Sequence, residues 1–181
     1  ILDEPRLNKT KEKVITAAGR LEYEKGFDIL IDSINPIQHI VRKFGYKVHI
    51  FGEGQERDAL QQLIDRYDLS DIVLLQGSTQ QLNEQLAISE ITVVPSRNEG
   101  FGMVILEAMN QSNIVVSFSG NAGPDSIIKN NVNGYLIDHK NVTELSNKLR
   151  RLINQEFKEQ VLIENGFKTV ATYAPEAVYQ Q

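Results

Sequence analysis

The sequence has no cysteine among its 181 residues. Without cysteine the chain cannot form a disulfide framework, a thiolate metal site or a thiol nucleophile. Such a composition suits a reducing compartment, and we expect a cytoplasmic protein. The sequence also contains no Asp-x-Asp triplet and no apolar run near the length of roughly 20 residues that a membrane-spanning helix needs.

Charge of either sign is not concentrated. The formal net charge is −5, and the lysines and arginines are scattered or lie near acids instead of forming a stripe. A basic stripe is the usual footprint of nucleic-acid binding, so we expect no nucleic-acid partner.

The length and a hydrophobic content of 41% are sufficient for one buried core. No linker-like stretch divides the chain, so we predict a single domain over residues 1–181. Residues 1–12 are polar and lack a period, which indicates a leading segment or an interdomain linker. The first residues resemble neither a signal peptide nor a natural start, and we expect a fragment of a longer protein.

Short β-branched runs alternate with segments of helical periodicity through about six units. We predict strands over residues 14–18, 47–51, 72–75, 91–94, 114–118 and 135–137. We predict helices over residues 27–34, 37–44, 55–67, 79–88, 104–109, from 141, 157–173 and 175–181. This order predicts an α/β, doubly wound, mostly parallel, Rossmann-like sheet, with ligands at the carboxyl ends of the strands.

The segment that follows the strand over 91–94 carries the densest signal. Gly100 and Gly102 are expected to let the backbone turn sharply and approach a ligand closely. Glu99 comes just before the predicted helix, whose positive amino end favours a carboxylate or an anion.

Glu107 lies within that helix, among apolar residues that cover nearly its whole circumference. We therefore predict that the helix and Glu107 are buried. A buried carboxylate needs a partner, and taken alone Glu107 is equally well explained by an internal hydrogen bond or ion pair. A second acid eight positions earlier, across a glycine turn, favours a binding site.

The spacing from Glu99 to Glu107 resembles the E-x7-E motif of the group 1 (GT4-like) retaining glycosyltransferases of the GT-B fold. Pro95-Ser96 before the motif and Gly100-Phe101-Gly102 inside it match as well. The resemblance implies a nucleotide-sugar donor site in which Glu99 faces the transferred sugar and Glu107 holds the ribose hydroxyls. It further implies that the diphosphate meets backbone N–H groups of Gly100, Phe101, Gly102 and Met103.

A second segment, from Gly19-Arg20-Leu21 to Lys25-Gly26, lies between the first strand and the first helix. Phosphates usually bind at this place in an α/β unit, and arginine can hold a phosphate with two donors. The segment also resembles the G-R-L-x-x-x-K-G element of the same family. The resemblance implies that Arg20 and Lys25 contact the diphosphate and stabilise its charge as it leaves. Gly19 is then a binding residue, and Ser78, by its position after the third strand, is a candidate for the base pocket.

Three other classes were weighed against this interpretation. A dinucleotide fingerprint at Gly52-Glu53-Gly54 fails because Arg57 occupies its third glycine position and Gln76 stands where the following strand should end in an acid. A receiver-type module would need acids where Ala18-Gly19-Arg20 stands. A nucleotide-binding GT-B domain without catalysis stays open.

The resemblance covers nearly the whole chain, but only the C-terminal half of a GT-B enzyme. It implies a hexosyltransferase-type reaction from a nucleoside diphosphate sugar to an acceptor hydroxyl, in polysaccharide or glycoconjugate biosynthesis, without a cofactor or a metal. It also implies that the N-terminal acceptor domain is missing, that this fragment is inactive alone, and that the absent domain could bring the enzyme to the cytoplasmic face of a membrane. The base, the sugar and the acceptor cannot be read from the residues.

Overall fold

The fold is taken from a computed structural model that describes residues 10–155 and 159–173. The predicted leading segment up to residue 9 and the predicted helix over 175–181 lie outside the described residues.

The centre of the fold is a six-stranded sheet whose strands lie in the order β3-β2-β1-β4-β5-β6. Each of its neighbouring pairs is parallel within the described part of the chain. The interior strands are mostly apolar and largely buried, with buried Thr16, Thr92 and Ser117 among them, as expected for strands that are covered on both faces. The strands are β1 (Glu12–Ala18), β2 (Lys47–Phe51), β3 (Val73–Gly77), β4 (Ser89–Val94), β5 (Ile114–Phe118) and β6 (Tyr135–Ile137).

Helices lie between successive strands and after the last strand, and together they cover both faces of the sheet. They are α1 (Phe27–Ile34), α2 (Gln38–Phe44), α3 (Arg57–Arg66), α4 (Leu82–Ile88), α5 (Met103–Asn110), α6 (Ala122–Ile127), α7 (Val142–Ile153) and α8 (Gln160–Thr172). Across residues 10–155 and 159–173, none of the helices has both the length and the apolar character to cross a membrane.

Two apolar clusters hold the layers together. The larger one joins the sheet to α1, α2, α3 and α7, with Ile31, Val41 and Leu149 fully buried. The smaller one joins the other face to α5, α6 and the end of α8, through residues such as Leu106 and Val170. Because helices lie on both faces of a parallel sheet, the prediction of a doubly wound, Rossmann-like α/β fold is confirmed.

Several predicted boundaries move by a few residues. β1 begins at Glu12, which pairs with Ser89 of β4, so the end of the predicted leading segment belongs to the sheet. α4 begins at Leu82 instead of residue 79 because Thr79 accepts a hydrogen bond from the Gln81 N–H at 3.0 Å and forms a turn. The helix predicted over 157–173 is α8, which begins at Gln160.

The strand order reverses direction between β1 and β4, which are neighbours although β2 and β3 intervene in the sequence. The connection after β1 crosses towards one edge of the sheet and the connection after β4 crosses towards the other. In open α/β sheets this arrangement leaves a crevice at the carboxyl ends of the two strands.

Candidate functional site

The loop after β1 reaches this crevice through a short 3₁₀ turn, Tyr23–Lys25, that ends at Gly26. Gly26 has a left-handed backbone with φ of 66°. A Cβ atom at this position would lie 2.0 Å from the Pro95 carbonyl oxygen. The turn therefore packs directly against the first residue after β4, at a distance that only glycine permits.

Lys25 and Glu99 meet across the crevice. The Lys25 Nζ atom donates to Glu99 Oε2 at 2.8 Å, and Ser96 Oγ donates to the same oxygen at 3.1 Å. Their side chains are 25% and 15% exposed, so the pair is partly withdrawn from water but still reachable from solvent. The structure thus brings together two residues that the sequence placed in one site from separate motifs.

Asn121, which follows β5, braces the Glu99 loop from the other side. Its buried side chain donates to the Ser96 carbonyl at 3.1 Å and accepts from the Glu99 N–H at 3.1 Å. The Gly123 N–H then donates to the Glu99 carbonyl at 3.2 Å. Sequence reasoning missed Asn121, whose available signal was its position in the turn that follows an interior strand.

The amino end of α5 completes the crevice. Gly102 is the residue before the helix and has a φ of 81°. The sharp turn expected at Gly100 and Gly102 is therefore made by Gly102, whereas Gly100 is not among the glycines with positive φ. A Cβ atom on Gly100 would meet nothing within 4 Å, so open space lies beside its backbone.

Phe101 and Met103 flank Gly102 and are exposed by 50% and 46%. The Phe101 ring meets the Tyr173 ring edge to face, with centroids 6.3 Å apart. The first N–H groups of a helix have no acceptor within the helix and carry a partial positive charge. These groups of α5 can therefore receive an anion, as predicted from the loop.

The expected full burial of Glu107 is wrong. Glu107 is half-buried, and its side chain engages another group of the chain. Met103 and Val104 lie three or four positions before it, on the same helix face, and are likewise exposed or half-buried. This face of α5 carries Glu107 beside the apolar Met103 and Val104, and the described elements cover it only in part.

Gly19, Arg20 and Ser78 line one cleft of about 240 Å³ at the carboxyl ends of β1, β2 and β3. Arg20 donates to Glu22 at 2.8 Å, and its side chain is 75% exposed, so it is free to turn towards a ligand. Gly19 also borders the ion pair, since a Cβ atom there would lie 3.5 Å from the Lys25 side chain. The residues that were predicted to contact the base, the phosphates and the sugar therefore lie in a row at the carboxyl ends of the strands.

Within the described ranges, no group of three histidine or acidic side chains is placed to hold a metal ion. That a metal is not required stays a prediction.

Comparison with known proteins agrees with this geometry. The family described as glycosyl transferases group 1 matches residues 2–169. A relative from Erwinia amylovora, the amylovoran biosynthesis glycosyltransferase AmsD, is 30% identical over 171 residues, which are 94% of this chain and 47% of the relative. The poly(ribitol-phosphate) alpha-N-acetylglucosaminyltransferase of Staphylococcus aureus is 31% identical over 145 residues, covering 80% of this chain and 29% of the relative.

Among solved structures, a variant of S. aureus TarM in complex with fondaparinux, alpha-GlcNAc-glycerol and UDP superposes with a TM-score of 0.85 at 28% identity. The match covers 99% of this chain and 36% of that one. This chain spans less than half the length of each of these three proteins. Because the family match extends over most of the sequence, the chain belongs to the group 1 glycosyltransferases, as the C-terminal, Rossmann-like domain of their GT-B fold.

Proposed function

We propose that this chain is the donor-binding domain of a retaining glycosyltransferase that transfers a hexosyl-type sugar from a nucleoside diphosphate sugar to an acceptor hydroxyl. The observation that carries the proposal is the Lys25–Glu99 ion pair at the point where the strand order reverses. A cation and a carboxylate at that place match the two parts of the donor, an anionic diphosphate and a sugar rich in hydroxyl groups.

The diphosphate would lie between the Arg20–Lys25 loop and the amino end of α5. Lys25 and Arg20 supply two cations, and the N–H groups from Gly100 to Met103 supply donors that are already oriented. Fixed donors of this kind stabilise the charge that grows on a leaving diphosphate. A bound phosphate would compete with Glu99 for Lys25, which would leave the Glu99 carboxylate to accept hydrogen bonds from the sugar hydroxyls.

The nucleoside would occupy the cleft that contains Gly19 and Ser78, with its ribose hydroxyls on Glu107. The half-exposed face of α5 supports this assignment, because a carboxylate there is reachable from solvent. The co-crystallised UDP of the S. aureus TarM variant supports a uridine nucleotide as the first donor to test.

For retention, the acceptor oxygen attacks the anomeric carbon on the face from which the diphosphate leaves. The bond from that carbon to the phosphate oxygen breaks as the bond to the acceptor oxygen forms, and the leaving phosphate oxygen takes the acceptor proton. Such a reaction needs no protein nucleophile. Glu99, the carboxylate in the loop, instead accepts hydrogen bonds from Lys25 and Ser96. The alpha product in the name of the S. aureus relative is consistent with retention.

The acceptor would be bound by a further domain, since this chain covers less than half of the relatives described above. We therefore expect the 181-residue chain to bind donor nucleotide but to transfer no sugar. A role in polysaccharide or glycoconjugate synthesis, cytoplasmic location and peripheral membrane association through the further domain belong to the same proposal. The amylovoran and poly(ribitol-phosphate) names of the relatives support the first of these.

The test is a thermal-shift and calorimetric panel of UDP, GDP, ADP and TDP, and of their sugar conjugates, with the purified chain. Saturable binding of one nucleotide series is the expected result, with tighter binding of one sugar conjugate. Absence of binding by every member overturns the proposal. Binding by a full-length form that transfers no sugar and hydrolyses no donor would favour a nucleotide-binding domain without catalysis.

A further inference from the structure

We propose that Arg97 is a positioning residue that fixes the turn bearing Lys25 against the loop bearing Glu99, and so places Lys25 for the diphosphate. This inference rests on the proposed function, since it concerns the same phosphate site. Arg97 lies two positions before Glu99 and belongs to neither of the motifs that marked the site.

The Arg97 side chain is bound to residues on both sides of Lys25. Its Nη1 and Nη2 atoms donate to the two carboxylate oxygens of Asp28 at 2.8 and 2.6 Å. Nη1 also donates to the Tyr23 carbonyl at 2.6 Å. The guanidinium carbon lies 3.8 Å from the centroid of the Tyr23 ring.

The main chain adds a further connection, because the Arg97 N–H donates to the Glu24 carbonyl at 2.7 Å. Tyr23, Glu24 and Asp28 bracket Lys25 in sequence. Arg97, which lies in the loop after β4, therefore contacts the turn after β1 on both sides of Lys25.

Leu21 before the turn and Phe27 after it are buried, but no side chain within the turn is, so the turn itself depends on such a connection. Tyr23 and Glu24 are exposed and Lys25 is partly exposed. Lysine also has a long, flexible side chain and makes no bidentate contact, so its ammonium group is placed only as well as its backbone is. A planar, bidentate arginine contact restricts that backbone.

Arg97 is not itself placed to bind substrate. Both of its terminal nitrogens are occupied by Asp28 and Tyr23, and one face of the guanidinium is covered by the Tyr23 ring. Its side chain is only 13% exposed. The hydrogen bonds that Arg97 donates to Asp28 also raise the pKa of Arg97, so its guanidinium group stays charged.

The structure offers a matched control. Arg42 makes a similar two-point contact with Asp71, through Nε and Nη2 at 2.9 and 2.8 Å. Arg42 lies in α2 and Asp71 lies just before β3. The pair is therefore at the amino ends of the strands, opposite the carboxyl ends where the site lies. Arg42→Met removes the same type of ion pair without touching the turn.

The experiment measures UDP affinity by calorimetry for the wild type and for a set of variants. The set comprises Arg97→Met, Lys25→Met, the double variant that combines these two changes, Asp28→Asn, and Arg42→Met as the control. We expect Arg97→Met to weaken UDP binding by about three- to tenfold, a range typical of coupled neighbouring residues. In the Lys25→Met background the same change should weaken binding by less than about twofold. Asp28→Asn, which keeps the size of the side chain, should reproduce much of the Arg97→Met effect, and Arg42→Met should have none.

If Arg97 contributes to stability alone, Arg97→Met lowers the melting temperature, and the losses of UDP binding free energy in Arg97→Met and Lys25→Met are additive. That outcome overturns the inference. Unchanged UDP affinity in both Arg97→Met and Asp28→Asn overturns it as well. If the wild type binds none of the nucleotides in the panel, the proposed function fails, and this inference fails with it. If Arg97→Met does not fold, a double-mutant cycle of Asp28→Asn and Lys25→Met tests the same coupling to Lys25.

Discussion

Lys25 Nζ lies 2.8 Å from Glu99 Oε2, although 74 positions separate the two residues in the sequence. They meet because β1 and β4 are neighbouring parallel strands, so the loops that follow them leave the sheet at the same edge. The two opposite charges neutralise each other within the site. Under the proposed function, a diphosphate would compete with Glu99 for the Lys25 ammonium group.

The first prediction concerns Glu99→Gln, which removes the competing charge and keeps the shape. UDP should bind about threefold more tightly or better, because Lys25 loses a charge-assisted bond worth roughly 1.5–3 kcal/mol before phosphate arrives. The advantage of the sugar conjugate over UDP should fall, because the carboxylate that receives the sugar hydroxyls is gone. Calorimetric titration with both ligands measures the two effects.

Glu24→Gln is the control for this experiment. Glu24 is exposed in the turn that contains Lys25, and its substitution changes the net charge by the same amount as Glu99→Gln. A tenfold loss of UDP affinity in Glu99→Gln would contradict the prediction. Glu99 would then be needed to hold Lys25 in position and would not compete with the ligand.

Arg20→Ala and Lys25→Ala form the second prediction. Each should weaken UDP binding by around tenfold or more, since each removes a charge-assisted hydrogen bond to phosphate. Arg20→Ala should leave the melting temperature unchanged, because the side chain is 75% exposed. Lys25→Ala should lower it slightly, because partly buried Glu99 loses its cation. Unaltered affinity in both variants would identify these residues as ordinary surface charges.

The third prediction separates glycines that the fold requires from glycines that a ligand requires. Gly26→Ala should lower the free energy of unfolding by at least about 2 kcal/mol, because its φ is positive and the added Cβ would lie 2.0 Å from a backbone oxygen. Gly100→Ala should change that free energy by less than about 0.5 kcal/mol, because the added methyl meets open space.

UDP binding should nevertheless weaken in Gly100→Ala, since the methyl group would enter the space assigned to the diphosphate. Urea unfolding and calorimetry distinguish the two glycines. A Gly100→Ala variant that binds UDP as the wild type does would exclude that N–H group from the phosphate site.

The sequence contains enough information to predict the sheet and the two loops, for identifiable reasons. Interior strands such as residues 114–118 are short runs of mostly β-branched and apolar residues, and each ends in turn residues. Lys25 and Glu99 could be assigned to one site because a glycine-rich loop after a strand of a parallel sheet has a fixed place in the fold.

Other features depend on which helices, strands and loops contact one another in the fold, and the sequence does not reveal those contacts. Arg97 and Asp28 are 69 positions apart, and each alone is indistinguishable from a solvated charge. Glu107 was expected to be buried because its neighbours are apolar, but burial requires an element that covers them. Of the two glycines in the loop, only Gly102 has positive φ, and composition could not separate them.

The fourth prediction concerns pH and Lys11, at the opposite edge of the sheet. Its Nζ atom donates to the carbonyl oxygens of Leu86, Ser89 and Gln111 at 3.3, 2.7 and 2.5 Å. Burial lowers the pKa of Lys11 from 10.5 to about 8, and the Glu90 charge partly opposes that change. Between these two values the unfolded chain binds more protons than the folded chain, so the free energy of unfolding should rise with pH.

The contribution should reach about 1–2 kcal/mol, because solvent screens a side chain that is only partly buried. Urea unfolding of the wild type and of Lys11→Met at pH 7, 8.5 and 9.5 measures it, and the difference between the two proteins cancels the titration of the tyrosines. The rise should be absent from Lys11→Met. Equal pH dependence in both proteins would show that Lys11 keeps an ordinary pKa.

The last prediction decides whether Glu107 binds the ligand or supports the helix. Glu107 is half-buried on α5 and has a partner within the chain, so both roles are compatible with its position. If its carboxylate receives the ribose 2′- and 3′-hydroxyls, Glu107→Gln should cost about 1–3 kcal/mol of binding free energy with UDP. With 2′,3′-dideoxy-UDP it should cost much less, because those donors are missing.

The two ligands and the two proteins form a cycle whose coupling energy isolates the contact between Glu107 and the ribose. If the carboxylate instead supports α5, Glu107→Gln should lower the melting temperature without any ligand, and both nucleotides should lose affinity alike. The coupling energy would then be near zero. That result would remove the ribose role, and the assignment of the α5 face to a nucleotide would then rest only on the N–H groups at its amino end.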